Sequence, residues 1–272
     1  MERLLVIKLE ALGCEAEAVI NGMPVARVHP LCPKAIVPVH EYTLAGANRL
    51  ELVIWPFPAN AVSSPSVPRP TAEPRVSDGQ RSARLRVLLP RIGSPADEGT
   101  ARTLGQLDWA PPEAETYNAP LSLIQDVTLP VSFPRWRWLD APVVEPTPAL
   151  HALALAFLQA VAKDLAAGEL ERFLAAARLR TEEIATAYQR QPLEETQRWR
   201  EHLLKLHAAQ SLVFKPLEAS SLVLRPVAGG RLMDCLSTDG GAALATEPDK
   251  QGRRFGFPLR VTAVEGKVYV LR

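Results

Sequence analysis

Val19-Ile20-Asn21-Gly22-Met23-Pro24-Val25 is a pair of short apolar runs joined by Asn-Gly. Asn and Gly accept the positive φ angles of a two-residue turn, so this stretch predicts a β-hairpin. Outward from it the strand pattern continues. Ile36 to Tyr42 reads as another strand and Gly46-Ala47-Asn48 as a turn. Leu50, Leu52 and Ile54 then alternate with Arg49 and Glu51, the period of a half-buried strand. Pro56, Pro58, Pro65, Pro68, Pro70 and Pro74 break the pattern, because proline has no N–H to give to a central strand. It resumes at Ala83, Leu85, Val87 and Leu89, with Arg84 and Arg86 on the other face, and again from Leu121 to Val131.

Between these last two strands, residues 93–120 read as a second long loop, holding Leu107-Asp108-Trp109 and Tyr117. Long loops in compact domains are commonly functional, which makes Trp109 a candidate binding residue. Phe133-Pro134-Arg135-Trp136-Arg137-Trp138 leads into Pro142, Pro146 and Pro148 and reads as a semi-rigid linker. Trp and Arg are enriched at the energetic centres of interfaces, so Trp136, Arg137 and Trp138 are a candidate recognition patch if exposed. The alternative is that both tryptophans pack the linker down.

The C-terminal half starts with helices. Leu150, Leu153, Ala154, Phe157, Leu158, Val161 and Leu165 have amphipathic helical spacing, and Gly168 is placed to end that helix. Leu170, Phe173, Leu174 and Ala177 predict a second helix. Thr181 is a cap for a third, with Ile184 and Tyr188 inward, and Pro192 opens a fourth with Leu193, Thr196, Trp199, Leu203 and Leu206 along one side. After Ser211 the period becomes two. Strands are expected over 212–217, 221–227, 231–237, 241–246, 255–263 and 267–271, with turns at Gly229-Gly230, Asp239-Gly240 and Glu265-Gly266. The expected fold class is therefore an antiparallel β-sandwich over 1–134, an aromatic and Pro-rich linker over 135–148, and an α+β domain over 149–272 with helices packed on a curved antiparallel sheet.

Two resemblances sharpen this. Residues 18–55, with Asn21-Gly22, Tyr42 and Gly46-Ala47-Asn48-Arg49-Leu50, resemble the accessory sugar-binding β-sandwich of family 2 glycoside hydrolases, which implies a sandwich and a carbohydrate ligand without catalytic carboxylates. Residues 150–272, closing on Phe257-Pro258-Leu259-Arg260-Val261 and Gly266-Lys267-Val268-Tyr269-Val270, look like the cone-shaped fold of the nuclear-transport-factor and SnoaL-like superfamily. That superfamily holds lyases and isomerases as well as non-catalytic binding modules, so fold alone does not choose.

Composition narrows the classes. Thirty-one Lys plus Arg balance thirty Asp plus Glu, which leaves no global field to gather nucleic acid or an anionic membrane. Cys14, Cys32 and Cys235 are scattered and odd in number, so reduced thiols are expected rather than disulfides or a zinc site. The apolar start, Leu4 to Ile7, is too short for a signal-peptide core, no run approaches the ~20 apolar residues of a membrane helix, and a cytoplasmic location is expected. The abundance of Ala, Arg, Leu and Pro is that of GC-rich bacterial coding.

No P-loop, Gly-x-Ser-x-Gly or dinucleotide motif occurs, and no catalytic residue is assigned. His202 and His207 sit about 140° apart on a helix, so they do not pair on a metal, and neither metal nor cofactor is expected. If the C-terminal cone is open, Tyr188, His202, Asp234 and Arg254 are the groups able to line its cavity. The preferred expectation is a two-domain binding protein. Its partner would be another protein, or a second copy through the C-terminal sheet. The alternatives are a lyase or isomerase, or small-molecule carrier, using the C-terminal cavity, and carbohydrate binding by the N-terminal half.

Overall fold

The computed structural model describes residues 4–56, 73–91, 93–97, 99–248, 252 and 254–272. It divides into two compact units, Met1–Arg135 and Trp136–Arg272. Antiparallel sheets dominate, joined by four helices.

Among the described residues the first unit holds ten strands: β1 (Val6–Leu12), β2 (Cys14–Ile20), β3 (Met23–Val28), β4 (Lys34–Pro38), β5 (Gly46–Pro56), β6 (Glu73–Val76), β7 (Ser82–Pro90), β8 (Ala101–Trp109), β9 (Thr116–Ala119) and β10 (Leu121–Leu129). They form two four-stranded sheets, ordered β4-β1-β7-β8 and β10-β5-β2-β3, and a β6-β9 ribbon. Alternate residues of both sheets build one apolar cluster: Ile7, Leu9, Leu85 and Val87 from the first, Ile20, Leu50, Leu52 and Ile54 from the second. Removing such side chains from water is the main favourable contribution to folding.

The Asn21-Gly22 turn forms as its chemistry predicts, with φ of 52° and 77°. Asn48 explains the Gly-x-Asn pattern. Its buried amide donates to the carbonyls of Leu44 and Gly46 at 2.9 Å, and its oxygen accepts from Leu44 N at 2.7 Å and from Asn21 Nδ2 at 2.9 Å. One side chain thus ties the 44–46 turn to the hairpin.

Several expectations change. The strand expected over 36–42 stops at Pro38, and His40–Tyr42 is a 3-10 turn. The second loop is not unstructured, because β8 and β9 lie inside it. Gly105 hides β8 from a periodicity reading: it occupies an inward position where a Cβ would stand 2.8 Å from Leu50 Cδ1 and 3.0 Å from Val127 Cγ1. Of the Pro-rich stretch, Pro58, Pro65, Pro68 and Pro70 lie outside the described residues. Pro74 sits in β6, part of a two-stranded ribbon.

The second unit places α1 (Pro148–Ala166), α2 (Glu171–Ala176), α3 (Arg178–Ala187) and α4 (Pro192–Ala208) before β11 (Leu222–Val227), β12 (Leu232–Ser237), β13 (Leu244–Ala245), β14 (Gly256–Phe257), β15 (Arg260–Val264) and β16 (Lys267–Val270). The sheet order is β11-β12-β15-β16, with β13-β14 as a small ribbon. Thr147 caps α1 by accepting from Leu150 N at 3.2 Å. Leu150, Ala154, Leu158, Val161 and Leu165 face a core shared with Phe173, Met233, Val261 and Val270. α1 meets the length and composition of a membrane span, 19 residues at mean hydropathy 1.4, closer to that limit than the sequence reading allowed. Here its apolar stripe is core.

Thr181 does not cap α3: it lies inside the helix and its hydroxyl donates to Ala177 O at 3.0 Å. The buried residues of α3 are Thr181, Glu183, Ala185 and Ala187, while Ile184 and Tyr188, expected inward, are half-buried. Glu183 turns inward because charged and polar donors meet it: the Arg272 guanidinium and the Arg137 backbone N–H. In α4 Leu193 faces water at 81 % exposure. Residues 212–217 form no strand, only a bridge from Phe214 to Thr246.

Gly168 closes α1 with a φ of 79°, and a Cβ there would stand 2.9 Å from His207 Nε2. Gly168→Ala is expected to lower the unfolding free energy by about 1–2 kcal/mol, the cost of a left-handed non-glycine residue, measured by urea unfolding. An unchanged midpoint would refute this account of the helix end.

Candidate functional site

On the outward face of β4-β1-β7-β8, one register row carries a charge on every strand. Lys34 pairs with Glu10, Glu10 with Arg84 and Arg84 with Asp108. The order across the sheet is plus, minus, plus, minus. Each carboxylate is gripped by two cations. Glu10 meets Lys34 Nζ at 3.0 Å and Lys8 Nζ at 3.5 Å. Asp108 Oδ1 accepts from Arg84 Nε at 2.8 Å and Arg86 Nη1 at 2.9 Å, and Gln106 Nε2 donates to its other oxygen. Period two puts these groups on one face, since Leu9, Leu85 and Leu107 between them point the other way.

This row forms one side of a trough of about 370 Å³ that crosses all four strands at the end of the sheet. Leu12, Ala83 and Trp109 complete its wall. The volume lies at the lower end of the small-ligand range. Trp109 is buried, with its ring edge-on to Tyr117 at 5.3 Å, and Tyr117 Oη accepts from Arg81 Nη1 at 3.2 Å. Only the margin of the indole reaches the trough. No flat aromatic platform for a sugar ring is offered there.

The other expected residues fall elsewhere. Trp136 and Trp138 are 1 % and 2 % exposed, so the exposed-patch reading gives way to the packing one. They belong to the second unit, whose first residue is Trp136, and the segment expected as linker is held there: Val144 N donates to Gly230 O at 2.9 Å and Arg231 Nη1 to Ala141 O at 2.6 Å. Arg137 bonds Glu182 at 2.6 Å. Arg272 lies with its guanidinium 5.7 Å from the centre of the Trp136 ring.

Among the described residues, Tyr188, His202, Asp234 and Arg254 have separate surroundings. Asp234 is buried on β12 between Arg225, at 2.8 Å, and Arg260, at 3.5 Å, again in one register row. Tyr188 follows the end of α3, where Arg190 packs on its ring. Arg254 is exposed. His202 lines a recess of about 100 Å³ with Phe173, Trp199 and Phe257, while the core of this unit is filled by Leu, Val and Phe side chains.

Among the described residues no three of His, Cys, Asp and Glu come together in a way that could hold a metal ion. Burial pushes the thiols of Cys14 and Cys235 up to about 12, and only Cys32 is exposed. At pH 8 a thiol reagent is therefore expected to modify Cys32 alone in the native protein, and all three after denaturation. Fast native labelling of Cys14 or Cys235 by mass spectrometry would contradict this.

No family model matches the chain, and no curated protein or solved structure does so either. Its own chemistry is the guide to its function.

The sequence places Arg84 and Arg86 opposite the apolar face and Asp108 beside Trp109, but does not single out Glu10 or Lys34. The signal was present in Lys8-Leu9-Glu10-Ala11, charged and apolar in turn. What it lacked was which strands are neighbours.

Partial burial raises the Asp108 carboxyl, but hydrogen bonds from Arg86, Gln106 and Arg84 outweigh it and the net shift is downward. A carboxylate held low contributes stability that is present above the ordinary value of about 3.9 and is lost as pH falls through the native one. Asp108→Asn should therefore flatten the acid limb of stability against pH, by under about 1 kcal/mol because the site is solvent-screened. An identical limb in urea unfolding at stepped pH would remove the assignment.

Proposed function

We propose that this chain is a non-catalytic binding protein: a β-sandwich carrying the binding surface, followed by an α+β module whose cone-like sheet packs on its helices. The single observation that carries the reading is the four-strand charge row beside a trough, with Leu12 and Ile36 exposed on the same sheet face at 64 % and 54 %. Exposed ion pairs stabilise a fold little, while charge patterning across a surface gives partner selection and orientation. Apolar side chains next to it supply area to bury.

A protein partner suits this face better than a sugar or a reacting small molecule. The trough is broad and its charged groups are already satisfied by one another, so they present a pattern rather than a poised acid or base. Asp234 is clamped between Arg225 and Arg260 in an ion-pair row.

Capture from native lysate with the intact chain, beside a Leu12→Ser, Ile36→Ser double variant, tests the reading. Recovery of the partner is expected to fall by roughly tenfold with the variant, as for loss of two apolar contacts. Lys215→Glu, in the second unit, should leave it unchanged. Equal recovery by parent and double variant would place the working surface elsewhere.

A further inference from the structure

A second groove lies in the α+β unit. Gln159, Ala162, Lys163 and Ala166, a stripe of α1 at helical spacing, form one wall and residues 212–217 the other, around about 540 Å³. Residues 212–217 run extended beside β13: Lys215 N donates to Ala245 O at 3.0 Å and Glu247 N to Val213 O at 2.7 Å. β13 pairs with β14 on its other side, so this segment is the outer edge. In an antiparallel pair the backbone groups of alternate residues point to opposite sides. Those of Val213 and Lys215 face β13, and those of Leu212 and Phe214 face the other way. Among the described residues, neither the N–H nor the C=O of Leu212 or Phe214 makes a hydrogen bond. Gln159 Nε2 closes one end of the groove by donating to Leu217 O at 2.8 Å.

We infer that this groove takes an extended peptide segment as an added strand, its backbone pairing with Leu212 and Phe214 and a carboxylate of its own meeting Lys163. Backbone N–H and C=O groups demand partners, and an open edge is a template for another strand. Hydrogen-bond complementarity chooses the occupant. A small molecule satisfies one or two groups, whereas a strand repeats N–H and C=O at the spacing of Leu212 and Phe214. The short side chains of Ala162 and Ala166 leave room for those of the peptide. Charge complementarity adds the carboxylate, because the charged side chains on the walls are Lys163 and Lys215. Lys215 already acts on Asp239, while Lys163 is exposed and joins no ion pair among the described residues. An edge of roughly 20 Å, at ~3.4 Å per residue, covers far less than the ~800 Å² per partner of a standard interface, so binding is expected to be weak. This site belongs to the second unit alone and does not rest on the reading of the β4-β1-β7-β8 face.

The test uses the purified full chain and a fluorescein-labelled peptide of alternating Val and Thr with one central Glu, followed by fluorescence anisotropy. Beside it runs the same peptide N-methylated at its central residues, which removes backbone donors and leaves side chains and charge unchanged. The first peptide should bind, and the methylated one should bind about tenfold more weakly or worse, as for the loss of two hydrogen bonds. In the isotope-labelled chain the Phe214 amide should exchange more slowly with peptide bound. Ala166→Trp fills the groove from an exposed position and should weaken binding by about tenfold. Lys163→Glu should weaken it several-fold at low salt and less at high salt. The Leu12→Ser, Ile36→Ser double variant should bind this peptide as the parent does. If Ala166→Trp disturbs the helix by circular dichroism, the methylated peptide and the Phe214 amide still decide.

Absence of binding at millimolar peptide, equal binding of the methylated peptide, an unchanged Phe214 amide, or indifference to Ala166→Trp or to Lys163→Glu would overturn the inference. So would protection of the Phe214 amide that rises with protein concentration in the absence of peptide, since the occupant would then be a second copy. Failure here leaves the sheet-face reading to its own test by lysate capture.

Discussion

Cross-strand register is the constraint on which the rest of this molecule depends. Side chains alternate along a strand with a period of two, so a slip of one residue between β1 and β7 would turn Lys8 and Glu10 into the core and Leu9 into water. The cost of burying those charges without partners holds the register in place. Once it is held, the charged row from Lys34 to Asp108 is a geometric consequence rather than a separate invention. The second unit obeys the same rule, since Arg225, Asp234 and Arg260 line up because β11, β12 and β15 pair in one register.

The two rows have different physical meanings. The first faces solvent, where each ion pair is screened and adds at most a few tenths of a kcal/mol to about 1 kcal/mol. The second is buried, as is the Glu183 and Arg272 pair, and there the desolvation penalty must be offset by tight partners. Removing one member of a buried pair leaves a stranded charge, while removing one member of the exposed row leaves a hydrated one. Loss of one partner is therefore costlier in the buried pairs than in the exposed row.

How much of this the sequence disclosed follows from the range of each signal. The Asn21-Gly22 hairpin, the four helices and most of the late strands were legible because turn residues and apolar spacing are local. β8 was not legible, since Gly105 empties the inward position that alternation would have marked. The inward face of α3 was misjudged because Glu183 is buried by Arg272, 89 residues away. The site was half-visible for the same reason. Arg84 and Arg86 could be read as lying opposite the apolar face and Asp108 only as a loop residue, but that Glu10 stands between Lys34 and Arg84 is a fact of strand order, which pairs residues 24 to 74 positions apart.

The stacking of Arg272 against Trp136 makes one side chain a rivet. Its guanidinium also reaches Glu183 on α3, and its backbone exchanges hydrogen bonds with Arg260, the first residue of β15. Three segments far apart in the chain, at Trp136, Glu183 and Arg260, thus share a single fastening, and a substitution at any of them is transmitted to the other two.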